Sequence, residues 1–92
     1  MDLRFDWNEE KALANLKKHG VSFSEATTVF GDPLSVTITA PDHSEGEERS
    51  IMVGMSRWSR LLVVVHAEEN DEIRIISARL ATRNERRDYE QE

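Results

Sequence analysis

Apolar positions in this chain change period part-way along. In DWNEEKALANLKKHG, residues 6–20, Ala12, Leu13 and Leu16 recur at helical spacing, Glu9 follows Asp6 by three residues, basic residues fill the last turn and Gly20 stands at C′. The pattern predicts a short amphipathic helix with Ala12, Leu13 and Leu16 facing inward. Next, SFSE at 22–25 fits a capping box, with Val21 placed to staple against Ala26. A second helix should run from about Phe23 to Phe30, burying Phe23, Ala26 and Val29 or Phe30, until GDP stops it.

From Leu34 the period becomes two. Leu34, Val36, Ile38 and Ala40 alternate with Ser35, Thr37 and Thr39, the signature of a strand with one wet face. Further strands are predicted over 51–56, 61–68 and 73–80, joined by a polar stretch ending in GEER, a basic RWSR turn at 57–60 and a short tip. Connections this short favour an antiparallel meander. Thr82-Arg83-Asn84-Glu85 matches S/T-x-x-E, so a last helix should begin at Arg83. The predicted fold is α+β and a single domain over 1–92: two N-terminal helices on one face of a mainly antiparallel sheet of about four strands, with a short C-terminal helix.

With Asn70 and Asp71 at the tip, opposed residues of the last hairpin sum to 141, pairing His66 with Ile75, Val64 with Ser77 and Leu62 with Arg79. One face then carries Leu61, Val63, Val65, Ala67, Arg74, Ile76, Ala78 and Leu80 and is assigned to the core. His66, Glu68, Ser77 and Arg79 share the other.

Composition narrows the function. The 18 acidic and 12 basic residues give a formal charge of −6, which argues against indiscriminate binding to nucleic acid or anionic membrane. There is no cysteine, hence no disulfide, thiolate metal site or Cys nucleophile. The N-terminus lacks signal-peptide features and the longest strongly apolar run, LLVVV, is too short to span a bilayer, so a cytoplasmic location is expected. The acidic loop with Asp42, His43, Glu45, Glu47 and Glu48 has neither EF-hand nor H-x-x-x-H spacing; no metal and no cofactor is expected. His19, at a helix C-terminus, suits the dipole and needs no other role.

Against this acidic background RIISARLATRNERR, residues 74–87, sets Arg74, Arg79, Arg83, Arg86 and Arg87 against one carboxylate, Glu85. The bland reading pairs Arg79 with Glu68 or Glu85 and leaves Arg86 and Arg87 on a solvated helix face, Arg86 reaching Glu90. The sharp reading is a phosphate site of converging guanidinium groups, Arg83 adding a cation at a helix N-terminus.

Together, WNEEKALANLKKHGVSFSEATTVFGDP, GEER, LLVVVH and IISARLATRNER resemble the BrnT family of toxins from bacterial type II toxin–antitoxin systems. The resemblance implies a RelE-like fold with helices on one sheet face and an RNA site on the other. It also implies endonucleolytic RNA cleavage that arrests growth, and neutralisation by a BrnA-like antitoxin. Operator DNA would be met only indirectly, through that antitoxin, in an assembly that can be of higher order. RNA cleavage without a metal needs the 2′-OH oriented and deprotonated, the phosphorane stabilised and the 5′-oxygen protonated. The catalytic candidates are Arg79 as main phosphate stabiliser, Arg83 as its helper, His66 or Glu68 for proton transfer, and Tyr89. Arg74, Ser77, Arg49, Arg86 and Arg87 are candidate RNA contacts, Arg74 weakened by its expected position on the opposite face. The alternative is a catalytically silent module that pairs with a DNA-binding partner to regulate transcription.

Overall fold

The computed structural model describes residues 3–39 and 49–91. The order is β1 (Phe5–Asp6), α1 (Glu9–His19), α2 (Phe23–Thr28), a 3₁₀ turn (Val29–Gly31), β2 (Val36–Thr39), β3 (Ser50–Met55), β4 (Leu61–Glu69), β5 (Glu72–Leu80) and α3 (Arg83–Glu90). The strands form one mixed sheet in the order β1-β5-β4-β3-β2. The class is α+β, with two corrections to the expected sheet. It has a fifth strand, and that strand, β1, runs parallel to β5 through Phe5 opposite Ile73 and Asp6 opposite Arg74. Two residues offer no readable periodicity, which is why β1 is silent in the sequence. The acidic loop lies outside the described residues.

Asp6 is engaged in β1, so α1 starts at Asn8 instead, whose side chain accepts from Lys11 N–H at 3.0 Å. Gly20 closes α1 in the left-handed conformation, φ 71°. The inward face differs from the one predicted: Leu13 and Leu16 are exposed, while Ala12 packs on the core and Asn15 is buried. The cause is the edge of β5. Beyond its two-residue pairing with β1, β5 presents Ala78 N–H and C=O, and the Asn15 carboxamide accepts from one at 3.2 Å and donates to the other at 2.8 Å. It also donates to Val21 C=O at 2.9 Å. One side-chain amide stands in for a missing strand, and burying these groups without it would be costly.

In α2 the cap forms on one side only: Ser22 accepts from Glu25 N–H at 3.0 Å, but the Glu25 carboxylate turns to Ser56 and Arg60. Val21, Phe23, Ala26 and Val29 pack with Met52, Leu62, Val64, Ile73, Ile75 and Ala78 into the main core. Gly54 on β3 lies beneath the 3₁₀ turn, where a Cβ would come within 2.7 Å of Val29 Cγ1.

The last hairpin corrects the predicted register. Asn70 and Asp71 form the tip with φ of 54° and 66°, as a two-residue I′-type turn requires. From there His66 opposes Ile75, as expected. The ladder then shifts: Val65 opposes Ser77, Val64 opposes Ala78 and Val63 opposes Arg79, leaving Ile76 as an extra residue. This β-bulge reverses the alternation of β5 half-way along. Leu62, Val64, Ile73, Ile75 and Ala78 therefore face α1 and α2; of the face predicted as core, Ala78 and Leu80 keep that side, while Leu61, Val63, Val65, Ala67 and Arg74 lie on the other side of the sheet. There Val36, Val53, Val63 and Arg79 form one row across four strands, with Tyr89 and Glu85 of α3 against it.

Candidate functional site

Arg74 and Arg79 are five residues apart, and a regular strand would send them to opposite faces. The extra residue at Ile76 returns both, with Ser77, to the face turned away from α1 and α2. Arg49, one residue before β3, joins them: Arg49 and Arg74 line a cavity of about 90 Å³ with Asn8, Lys11, Ile75 and Ile76. Three basic side chains thus share one small cavity. Arg74 also meets Glu69 at 3.6 Å, an exposed pair of the kind that contributes little and exchanges readily. Sequence spacing held no signal for Lys11 or Asn8, because α1 reaches them to the edge of β5 only through tertiary packing.

Arg79 is engaged differently. Its Nη1 and Nη2 donate to the two Glu85 carboxylate oxygens at 2.9 and 2.8 Å, and Nη1 also donates to Leu80 C=O at 3.1 Å. Glu85 in turn accepts from Thr82 N–H at 2.8 Å, while Thr82 accepts from Glu85 N–H at 3.2 Å. The capping box predicted at 82–85 is thus complete, with a guanidinium clamped onto it. Arg79 holds the Glu85 carboxyl down at about 2. Of the two readings of Arg79, this favours the internal ion pair and weakens the paired phosphate site with Arg83. Arg83, Arg86 and Arg87 are exposed on α3, and Arg86 reaches Glu90 at 3.6 Å as expected.

His66 is not beside Arg79. It lies on the helix side of the sheet, 6% exposed, with neither ring nitrogen hydrogen-bonded and Phe30 edge-on at 4.9 Å. Burial pushes its pKa down, and the nearby Glu68 only partly offsets this. Glu68 pairs with Ile73 on the same side and is exposed at the sheet margin. The expected grouping of His66 and Glu68 with Arg79 is therefore corrected, and the bulge is the reason.

Tyr89 donates to Asp32 Oδ2 at 2.6 Å, which with burial raises its phenol to about 12. Asp32 also accepts from Met55 N–H at 2.8 Å and Leu34 N–H at 2.9 Å. Burial works to raise the Asp32 carboxyl, but these donors outweigh it and hold it below its usual range. Tyr89 thus fastens α3 to the body of the fold through Asp32. A second buried cluster escaped the sequence reading. Glu25 accepts from Arg60 Nε at 2.9 Å and Ser56 Oγ at 2.7 Å, and Arg60 also donates to Gly20 C=O at 3.1 Å. The Arg60 guanidinium keeps the buried Glu25 carboxyl ionised and its pKa lowered.

A family model described as ribonuclease toxin, BrnT, of type II toxin–antitoxin system matches residues 7–85. The chain belongs to the BrnT family. That assigns it to ribonuclease toxins of type II systems, whose nature entails an antitoxin partner. The crystal structure of the Brucella abortus ribonuclease toxin BrnT is similar in fold, with a TM-score of 0.65, 20% identity, and coverage of 89% of this chain and 100% of that chain. No curated protein matches the chain. Within this fold the Arg79 clamp lies on the sheet face that α1 and α2 leave free, and the basic cavity opens at the edge of β5 where the start of α1 meets it. No helix among the described residues is long and apolar enough to cross a membrane.

Proposed function

We propose that this chain is an endoribonuclease toxin that cuts RNA without a metal ion, using the sheet face that carries Arg49, Arg74, Ser77 and Arg79. The observation that carries the reading is the bulge at Ile76, which places Arg74 and Arg79 on one face. Family membership supplies the reaction class. The substrate 2′-oxygen gives up its proton and attacks phosphorus as the bond to the 5′-oxygen breaks, and the departing 5′-oxygen takes a proton from water. Arg49 and Arg74, with Lys11, bind the phosphate and stabilise the added charge of the phosphorane, a role suited to planar guanidinium donors in a shallow cavity. Ser77 is an RNA contact between them and Arg79. Glu69, the carboxylate paired with Arg74, is assigned as the proton acceptor in place of His66. Arg79 is a positioning residue, holding α3 through Glu85 and so keeping Arg83, Arg86 and Arg87 at the margin of the face. Tyr89 acts through the same docking and takes no proton.

The toxin would act in the cytoplasm, where a BrnA-like antitoxin covers it, and the complex would repress its own operon through the antitoxin's DNA-binding segment. Purified protein incubated with RNA in EDTA tests this: cleavage leaving 2′,3′-cyclic phosphate ends is expected. Intact RNA from folded protein would favour the silent binding module instead.

A further inference from the structure

The basic RWSR turn, read from sequence merely as a connection, is the most heavily braced loop among the described residues. Ser56 N–H donates to Arg60 C=O at 2.8 Å, and Ser59 N–H to Ser56 C=O at 2.9 Å. Ser56 Oγ accepts from Trp58 N–H at 3.2 Å and Arg60 N–H at 3.3 Å while donating to the buried Glu25. Arg57 N–H donates to Thr28 Oγ1 at 2.9 Å, and Ser59 is held in the left-handed region at φ 64°. All of this fixes a turn that carries Trp58, which is 60% exposed and whose ring stacks on no other aromatic group among the described residues.

We infer that Trp58 and Arg57 form a subsite for an unpaired nucleobase and its phosphate in single-stranded RNA. This rests on the ribonuclease reading above. A rigid turn presents the indole at little entropic cost, and an indole face stacks on any base. Local charge favours RNA over a protein partner. The five residues 56–60 carry two arginines and no carboxylate; Arg60 is neutralised by Glu25, while Arg57, which lines a groove with Asp32, forms no ion pair among the described residues of a chain of net charge −6. Trp58 stands 60% exposed on the turn and not in a packed pocket of the kind in which protein hot spots sit. Base plus phosphate is the ligand such a pair recognises.

The test uses full-length protein and a 2′-O-methyl RNA decamer, which cannot be cut, as single strand and as duplex. The single strand should quench tryptophan emission saturably and the duplex should not. Trp58→Ala should bind the single strand roughly tenfold more weakly, Trp58→Phe should recover most of the affinity, and Arg57→Ala should lower the salt slope by about one. Unchanged binding by Trp58→Ala overturns the subsite, as does a Trp58→Ala protein that loses only its antitoxin. Cleavable RNA run in parallel separates this inference from the one beneath it. Quenching through Trp58 without cleavage supports the subsite and removes the ribonuclease reading; cleavage with unchanged Trp58→Ala binding removes the subsite alone.

Discussion

Asn15 and His66 are buried polar side chains with opposite accounts. Asn15 uses its amide fully, on Ala78 and Val21, so Asn15→Ala should lower stability by about 1–3 kcal/mol in urea unfolding, the cost of stranding buried backbone groups. His66 has no partner, and its pKa lies below the ordinary 6.5. Below that pH the unfolded chain takes up a proton that the folded one resists. Stability should therefore be level above about pH 7, fall as pH drops through about 6.5, and level again below the folded pKa. His66→Leu should flatten that window in urea titrations at a series of pH values; an unchanged profile would show that the pH dependence arises elsewhere. Neither burial was legible from spacing. An asparagine amid helical leucines reads as solvent-facing, and its reason is the part of β5 that β1 leaves unpaired, 63 residues away.

At the scale of elements, helices and strands were readable because caps, turn residues and periods agree with the fold. The capping box at 82–85 and the two-residue tip at Asn70 and Asp71 form as their residue types dictate. What failed was the choice of face. LLVVV in β4 is apolar on both sides, since α1 and α2 cover one and α3 the other, and such a run cannot report which face is the core. Nor does anything in RIISAR announce the bulge at Ile76. That one residue moved Arg74 onto the Arg79 side and left His66 on the other. The docking of α3 should be correspondingly fragile, since it rests on Tyr89 with Asp32 and Glu85 with Arg79. Glu85→Gln should speed hydrogen exchange in α3 while leaving β4 and β5 protected. The pH sign follows from the Glu85 value of about 2 against 4.5: its contribution is whole above about pH 4.5 and fades as pH falls toward 2. Because both partners are about a third exposed, the effect should be modest.

Taken whole, the molecule is an acidic body in which Arg49, Arg74 and Arg79 share one sheet face and further cations lie on α1, α3 and the 57–60 turn. A net charge of −6 gives little long-range attraction for RNA, so the proposed site predicts binding that depends on the local set of Arg49, Arg74 and Lys11 and weakens steeply with salt. Replacing both Arg49 and Arg74 by Ala should lower the slope of log affinity against log salt by roughly two. The sequence revealed the arginine cluster and the family, but not which arginines meet in space. RNA cleavage in EDTA by three folded proteins, wild type, Arg49→Ala/Arg74→Ala and His66→Leu, decides which side of the sheet carries the chemistry. A site built on Arg49 and Arg74 predicts cleavage by wild type and His66→Leu and its loss in the double arginine variant. Cleavage lost in His66→Leu but kept in the double variant would place the chemistry on the other face of the sheet and contradict it.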